Sequence, residues 1–373
     1  MSLRIAEAKS PTELGRFIRL PWKIYKNHPF WVPPLVSERK KFLNPKINPF
    51  FERAEVKLLL AEDPKSNPLG RIALVHDHMY QERYSKNTGI IGMFESVDDE
   101  NVSRLLFDEA KSWCHENGFD KLIGPMNLSI NHECGLMVEG FNLPPMFGIP
   151  YNPDYYEKHF LEWGFDKLKD LVSFKLDLIG IPEYLQNAAK RLEKRGRFNI
   201  RPLDMSRFED ELKIIWDIYN SAWDMNWGSV PMTRKEFIFA ASEIKSFVHA
   251  EFCLIAEVKG EPIGFSLALP DINQVLIELD GKLFPFGWAK FLWRKNKIDT
   301  YRVLTLGIKK KFRKLGIDAY MYYETYKKFI EQGIKWCEMS WMLEDNIDIL
   351  EPMFKLGGTI YKRHRIYEKK FLP

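Results

Sequence analysis

The sequence predicts an α/β protein built from two domains, on three observations. The chain has 373 residues, which is long for one core and suits two domains of about 180 residues each. Strand and helix patterns alternate along it. The order strand, helix, hairpin, strand, helix, strand, helix, strand also occurs twice, a repeat at domain length rather than at a solenoid period. The domains are expected over 1–180 and 181–373, with the polar amphipathic segment 181–197 as a linker helix.

In the first half, residues 54–77 read as a hairpin turning at "DPKSNP", where Pro, Asn and Ser separate two apolar runs. "TGIIGMFES" (88–96) is a strand, and 99–117 has helical spacing and stops at Gly118. "KLIGPM" (121–126) is a short strand. Residues 152–165 start as a helix with a cap and Pro in the first turn, and close on glycine. "KDLVSFKLDL" (169–178) ends the half as a strand. In the second half, 198–203 is a strand, 207–225 and 233–246 are helices, and 253–270 is a hairpin turning at Lys259-Gly260. Strand 301–308, helix 317–332, strand 335–342, helix 347–356 and strand 359–368 follow.

Apolar content of 45% and charged content of 28% are those of a globular protein. A net charge of +4 means that any basic site is local rather than global, and with no RNA-binding signature this argues against a nucleic-acid partner. Cys114, Cys134, Cys253 and Cys337 lack CxxC spacing and sit in apolar surroundings, as buried free thiols do. No signal peptide, lipidation signal or apolar run of membrane-spanning length is evident, so a reducing cytoplasm and no stable membrane insertion are expected.

The most informative stretch is "LGIKKKFRKLGIDAYMYYE" (306–324), where a buried strand becomes a helix. Gly316 at the first turn exposes N–H groups that have no partner inside the helix. The helix dipole adds positive potential there, which makes the turn a receptor for pyrophosphate. Arg302, Lys309, Lys310, Lys311, Arg313 and Lys314 are the candidate counter-charges. By spacing alone the block equally reads as a solvated strand exit. The corresponding turn of the first half, "FESVDDENVSRLL", carries Glu95, Asp98, Asp99 and Glu100, lacks the glycine, and would repel phosphate.

With these residues the second half resembles the GNAT acyltransferases. Arg313-Lys314-Leu315-Gly316-Ile317-Asp318 stands against their R/Q-x-x-G-x-G/A pyrophosphate loop. Asn346 followed by "ILEPMFKLGG" resembles their fourth helix, and so does "YNPDYYEKHFLEWGF" in the first half. A tandem of such domains is similar to the Fem-type peptidoglycan transferases and the N-myristoyltransferases. "LFPFGWAKFLW" with "LGIDAYMYYE" resembles a group of bacterial tandem proteins of this fold. The resemblance implies mixed, mostly antiparallel sheets flanked by helices, with acetyl-CoA or a longer acyl-CoA as cosubstrate. It also implies N-acyl transfer to a small-molecule or peptide amine bound between the domains. It places the coenzyme on Leu306, Ile308, Lys311, Arg313, Lys314, Leu315, Gly316, Ile317 and Asn346. Asp318 departs from the pattern, standing where the family has Gly or Ala.

Acyl transfer needs a deprotonated amine and a proton for the leaving thiolate. The family's tyrosine on the fourth helix is Met353 in the second half and Phe160 in the first, and neither can donate. The remaining candidates are Glu344 and Asp345 just before Asn346, Glu278 and Asp280 in the insertion, or the Asn131–Glu133 group. Glu344 and Glu133, together with Asn346, are the first choices. Asn127, Ser129, Asn131 and His132 form a polar loop after a strand, a candidate substrate surface or equally a loop that satisfies its own backbone. "HEC" lacks a second ligand at helical spacing, so no metal is expected. Residues 284–297, bulky apolar groups among Lys290, Arg294, Lys295 and Lys297, read as a basic helix packed on its own domain, ahead of a lid or an interfacial membrane helix. The alternative to an enzyme is a non-catalytic ligand-binding protein that keeps the fold, for which Asp318, Met353 and Phe160 speak.

Overall fold

A computed structural model describes residues 3–285 and 287–371. In chain order the elements are β1 (Arg4–Glu7), α1 (Pro11–Ile24), α2 (Val36–Phe42), β2 (Ala54–Glu62), β3 (Pro68–Asp77), α3 (His78–Arg83), β4 (Thr88–Ser96), α4 (Glu100–Glu116), β5 (Lys121–Gly124), β6 (Leu136–Glu139), α5 (Tyr155–Trp163) and β7 (Asp166–Asp177). There follow α6 (Glu183–Arg195), β8 (Asn199–Pro202), α7 (Phe208–Trp223), α8 (Arg234–Ile244), β9 (Cys253–Val258), β10 (Glu261–Pro270), α9 (Asn273–Leu276), α10 (Gly287–Arg294), β11 (Thr300–Ile308), α11 (Ile317–Glu331), β12 (Trp336–Leu343), α12 (Ile347–Lys355) and β13 (Thr359–Lys370).

The chain divides into two compact units. The first holds residues up to Leu171, Asn273–Trp293 and residues from Lys362 onward; the second holds Val172–Ile272 and Arg294–Tyr361. The partition is therefore not a single cut near residue 180. From Lys362 on, β13 completes the first unit's sheet beside β5, with Tyr367 opposite Gly124 and Lys370 opposite Lys121. From Val172 on, β7 enters the second unit, where Val172, Phe174 and Leu176 pack with Val303, Cys337 and Met339. The insertion after β10 belongs to the first unit. Asn273 donates to the Pro145 carbonyl (2.8 Å), Asp280 accepts from the Trp22 indole (2.8 Å), and the Gly281 carbonyl accepts from Val36 N–H (3.1 Å).

Helix α1 begins with a capping box: the Ser10 hydroxyl accepts from Glu13 N–H (3.2 Å), and the Glu13 carboxylate accepts from Ser10 N–H (2.8 Å). It buries Phe17, Ile18, Leu20 and Pro21. Residues 152–165 depart from expectation at their start. Asn152 does not cap α5; its side chain accepts from Met137 N–H (2.6 Å) and donates to the Met137 carbonyl (3.1 Å), so it secures β6. The four cysteines are buried thiols outside any disulfide, as expected, and burial pushes the Cys114 and Cys253 thiols up to about 12.

Within the first unit the strands are ordered β1-β2-β3-β4-β5-β13, with β6 also on β13, and within the second β7-β12-β11-β10-β9-β8. Each is mostly antiparallel and contains one parallel pair, β4 with β5 and β11 with β12. Both parallel pairs part early. Pairing covers Thr88–Ile90 against Lys121–Ile123 in one, and Thr300–Val303 against Trp336–Met339 in the other. A sheet that opens in this way presents unpaired main-chain groups between two strands. What fills the opening distinguishes the two units.

Candidate active site

In the first unit the opening is filled by the chain itself. Met126 N–H donates to the Ile91 carbonyl (2.8 Å), and Met93 N–H donates to Asn127 Oδ1 (2.7 Å). The approach is close enough that a β-carbon on Gly92 would overlap the Met126 carbonyl. The same loop carries the predicted polar group. Asn127 Nδ2 donates to Glu133 Oε2 (2.9 Å), and Arg39 donates to both Glu133 oxygens. Burial works against the Glu133 carboxylate, but the Arg39 guanidinium outweighs it and holds the group below its usual range. Ser129 Oγ meets His132 Nδ1 at 2.9 Å and also accepts from Asn131 N–H (3.3 Å). The structure thus assembles Asn127, Ser129, Asn131, His132 and Glu133 into one internally bonded plug.

His132 lies between the rings of Phe42 and Phe50, at 5.1 and 5.6 Å. Burial there, with Arg53 nearby, pushes its imidazole down from 6.5 to about 4. The sign follows from linkage: between pH 6.5 and 4 the unfolded chain binds the proton and the folded one does not, so stability falls as pH falls through that window. A shift of this size corresponds to roughly 3 kcal/mol when complete. Denaturant titrations at pH 7 and pH 4.5 on wild type and His132→Gln test this. The variant is expected to lose less stability between the two values. Equal losses would show that His132 does not titrate with folding.

The strand-to-helix turn of the first unit also consumes its own donors. Asp99 accepts from Asn101 N–H (2.9 Å) at the head of α4. Glu95 takes hydroxyls from Tyr25 and Tyr156, both at 2.8 Å, and Arg71 at 3.3 Å.

The second unit differs at each of these points. Beyond Val303, β11 pairs only with β10, and Leu304 is an extra residue between the paired Val303 and Thr305. Lys309 N–H donates to the Ile263 carbonyl (2.8 Å). Antiparallel bonding alternates, so Gly307 and Thr305 bond β10 while the main-chain groups of Leu306 and Ile308 face the opening. Among the described residues no loop plugs this edge as Met126–Asn127 plugs the other.

At the end of β11 the chain turns through Lys310–Leu315 into α11. Gly316 heads that helix at φ +79 with no side-chain cap, and a β-carbon there would lie 3.3 Å from the side chain of Leu192 on α6. Among the described residues, the N–H groups of Leu315, Gly316 and Ile317 meet no acceptor. Segment 181–197 is thus more than a linker. It forms α6 and packs on α11, with Tyr320 donating to Glu193 (3.1 Å).

The six cations have different fates. Arg302 is a correction: it is 5% exposed, donates to Ser340 Oγ (2.8 Å) and lies 3.6 Å from Glu338, so it cannot reach a phosphate. Arg313 braces the turn by donating to the carbonyls of Ile308 (3.2 Å) and Ala222. Lys309 pairs with Asp217 (2.7 Å), and Lys310 lies 3.8 Å from Asp224. Lys311 and Lys314 are exposed, and neither forms an ion pair among the described residues. Uncapped donors, an open strand edge and two available lysines fit a pyrophosphate-bearing ligand.

Glu344 and Asn346 follow directly on the end of β12, at the carboxyl ends of the two parallel strands, where α/β sheets bind ligands. Both are half-buried, and the Asn346 side chain makes no cap bond. Met353 and Phe160 are buried in their units' cores. Sequence reasoning overlooked Glu55, His76 and His78, whose donor atoms lie within 4.8 Å of one another. His76 Nε2 is shared with Gln81 (2.8 Å).

No family model matches the chain. Two bacterial proteins are similar along almost its whole length. It is 38% identical over 375 residues to the bacterial ceramide synthase of Caulobacter vibrioides, covering 98% of this chain and 97% of that protein. It is 36% identical over 369 residues to protein YghO of Escherichia coli, covering 96% and 93%. Among solved structures, a tandem GNAT protein from the clavulanic acid biosynthesis pathway superposes with a TM-score of 0.60 at 10% identity, over 100% of this chain and 99% of that one. At that identity the likeness is one of fold.

Proposed function

We propose that this chain, which belongs with the Caulobacter vibrioides bacterial ceramide synthase and Escherichia coli YghO to a family of tandem proteins with the GNAT acyltransferase fold, transfers an acyl group from acyl-CoA to an amine. The observation that carries the reading is the contrast between the units: a plugged strand edge in the first, an open one ending in an uncapped helix turn in the second.

The pyrophosphate is received by the N–H groups of Leu315, Gly316 and Ile317, with Lys311 and Lys314 as counter-charges. The acyl-pantetheine arm lies along the edge presented by Leu306 and Ile308, whose main chain polarises the thioester carbonyl. The amine nitrogen attacks that carbon, the C–S bond breaks, the amine gives up a proton and the thiolate takes one. Glu344 is the candidate for receiving the amine's proton, with Asn346 orienting the groups at the end of β12. A ceramide is the N-acyl amide of a long-chain amino alcohol, so the name of the first relative supports a long-chain amine as acceptor.

The test is to incubate the protein with acetyl-, octanoyl- or palmitoyl-CoA and a long-chain amino alcohol, following free thiol and amide by mass spectrometry. One thiol per amide is expected with at least one donor. Binding of acyl-CoA without amide formation from any amine offered would overturn the enzyme reading. It would favour a ligand-binding protein, the alternative supported by the buried Met353 and Phe160.

A further inference from the structure

The segment after α9 exposes side chains that a globular surface normally covers. Phe284 is 80% exposed, Trp288 52%, Leu292 50% and Trp293 65%. Trp288 and Leu292 stand one turn apart on α10 and share a face, with Trp293 beside it. This departs from the expectation of a helix packed on its own domain. Phe291 is half-buried and Lys290 is tied back to Glu278 (2.9 Å), while the aromatic residues point outward. Phe286 lies outside the described residues.

The charge within the segment itself is of one sign. Residues 282–297 contain Lys282, Lys290, Arg294, Lys295 and Lys297 and no acidic residue. The base of the segment is fixed to the first unit at Asp280 and Gly281, so the aromatic groups are displayed on an anchored platform.

We infer that α10 and the preceding turn form an interfacial docking site for an anionic lipid surface. Two indoles, a phenyl ring and a leucine suit the boundary between headgroups and acyl chains, and the lysines suit lipid phosphates. The helix has eight residues, far below the about 20 needed to span a bilayer, so it lies in the interface plane. A protein partner is a weaker match, because the exposed Lys282 and Lys295 beside the aromatic groups, with no acid inside 282–297, favour a diffuse negative surface over a paired one. The inference rests on this surface alone and stands apart from the acyl-transfer reading.

The test is co-sedimentation with vesicles of phosphatidylcholine and phosphatidylglycerol (7:3) and of phosphatidylcholine alone, for wild type, Trp288→Ala/Trp293→Ala and Lys282→Glu/Lys295→Glu. Wild type is expected to bind the anionic vesicles, with weaker binding at high salt and on neutral vesicles. The tryptophan variant is expected to lose about 10-fold or more in partitioning, because binding scales with buried apolar area. Charge reversal is expected to cost about 5-fold or more per lysine on anionic vesicles. Unchanged melting temperatures would show that neither variant acts through unfolding. Absence of wild-type binding, or equal binding by wild type and the tryptophan variant, overturns the inference. So does concentration-dependent self-association that the tryptophan variant abolishes without lipid, because the face would then join copies of this chain. Thiol release with detergent-dispersed amine reads the acyl-transfer proposal separately, since it requires no membrane.

Discussion

Gly316→Glu is expected to abolish coenzyme binding while the protein remains folded. Three effects act together. The backbone at φ +79 is costly for a residue with a β-carbon, by about 1–2 kcal/mol. That carbon would lie 3.3 Å from Leu192, which has to move. A carboxylate about 4 Å from a pyrophosphate at an effective dielectric of about 20 costs on the order of 4 kcal/mol. The first two act on the fold with or without ligand, and the charge alone predicts a loss of about 100-fold or more in affinity, measured by calorimetric titration with acetyl-, octanoyl- and palmitoyl-CoA. Gly316→Asn isolates the charge, because asparagine tolerates this conformation without adding one. It should bind within a few-fold of wild type. Asp318→Ala should bind equally or better, since it removes a carboxylate from the first turn of α11. If Gly316→Glu binds as wild type does, the coenzyme lies elsewhere and the assignment of this turn fails.

Arg302→Ala is expected to cost about 3–5 kcal/mol of stability, because it leaves Glu338 buried without its cation. Arg302 and Glu338 face each other across β11 and β12, next to Val303 and Met339, the last pair before those strands part. Glu338 is fully buried and also accepts from Tyr361 and Ser340. Burial, and then the Glu338 carboxylate, push the Tyr361 phenol up, so it stays protonated as a donor. At roughly 2–4 °C per kcal/mol for a unit of this size, the melting temperature should fall by about 6–20 °C. A double-mutant cycle with Glu338→Ala separates pair coupling from lost packing. A loss below about 1 kcal/mol for Arg302→Ala would mean that the pair does not hold this vertex. The prediction also explains why Arg302 is unavailable as a phosphate ligand: the charge that closes the base of the opening cannot serve its mouth.

Much of the candidate site was legible because its signals are local. The turn at Gly316 announced itself by a glycine between a β-branched strand and a helical repeat, and helix 317–332 agrees with α11 to one residue. Asp99 and Thr233 cap their helices, as their position before an apolar repeat implies. Helix α1 was overlooked although its capping box is legible at Ser10–Glu13; two prolines, Pro11 and Pro21, obscured a pattern that starts with one and tolerates the other.

The rest depended on partners distant in sequence. Arg313 and Lys309 look like phosphate ligands until Ala222 and Asp217, both on α7, are brought to them. The plug in the first unit depends on Gly92 admitting Met126, and no pattern within a few residues of either announces that meeting. By itself, then, the sequence determined most strands and helices from residue 54 onward, and that a glycine-headed helix turn stands at Gly316. The tertiary structure alone decided which strand completes which sheet, which cations are already engaged, and which strand edge stays open. The physical reason is range. Caps, turns and periodicity are settled among residues a few positions apart, whereas nothing within β7 or β13 specifies which sheet edge each joins. Only the packing of the whole chain selects among those edges.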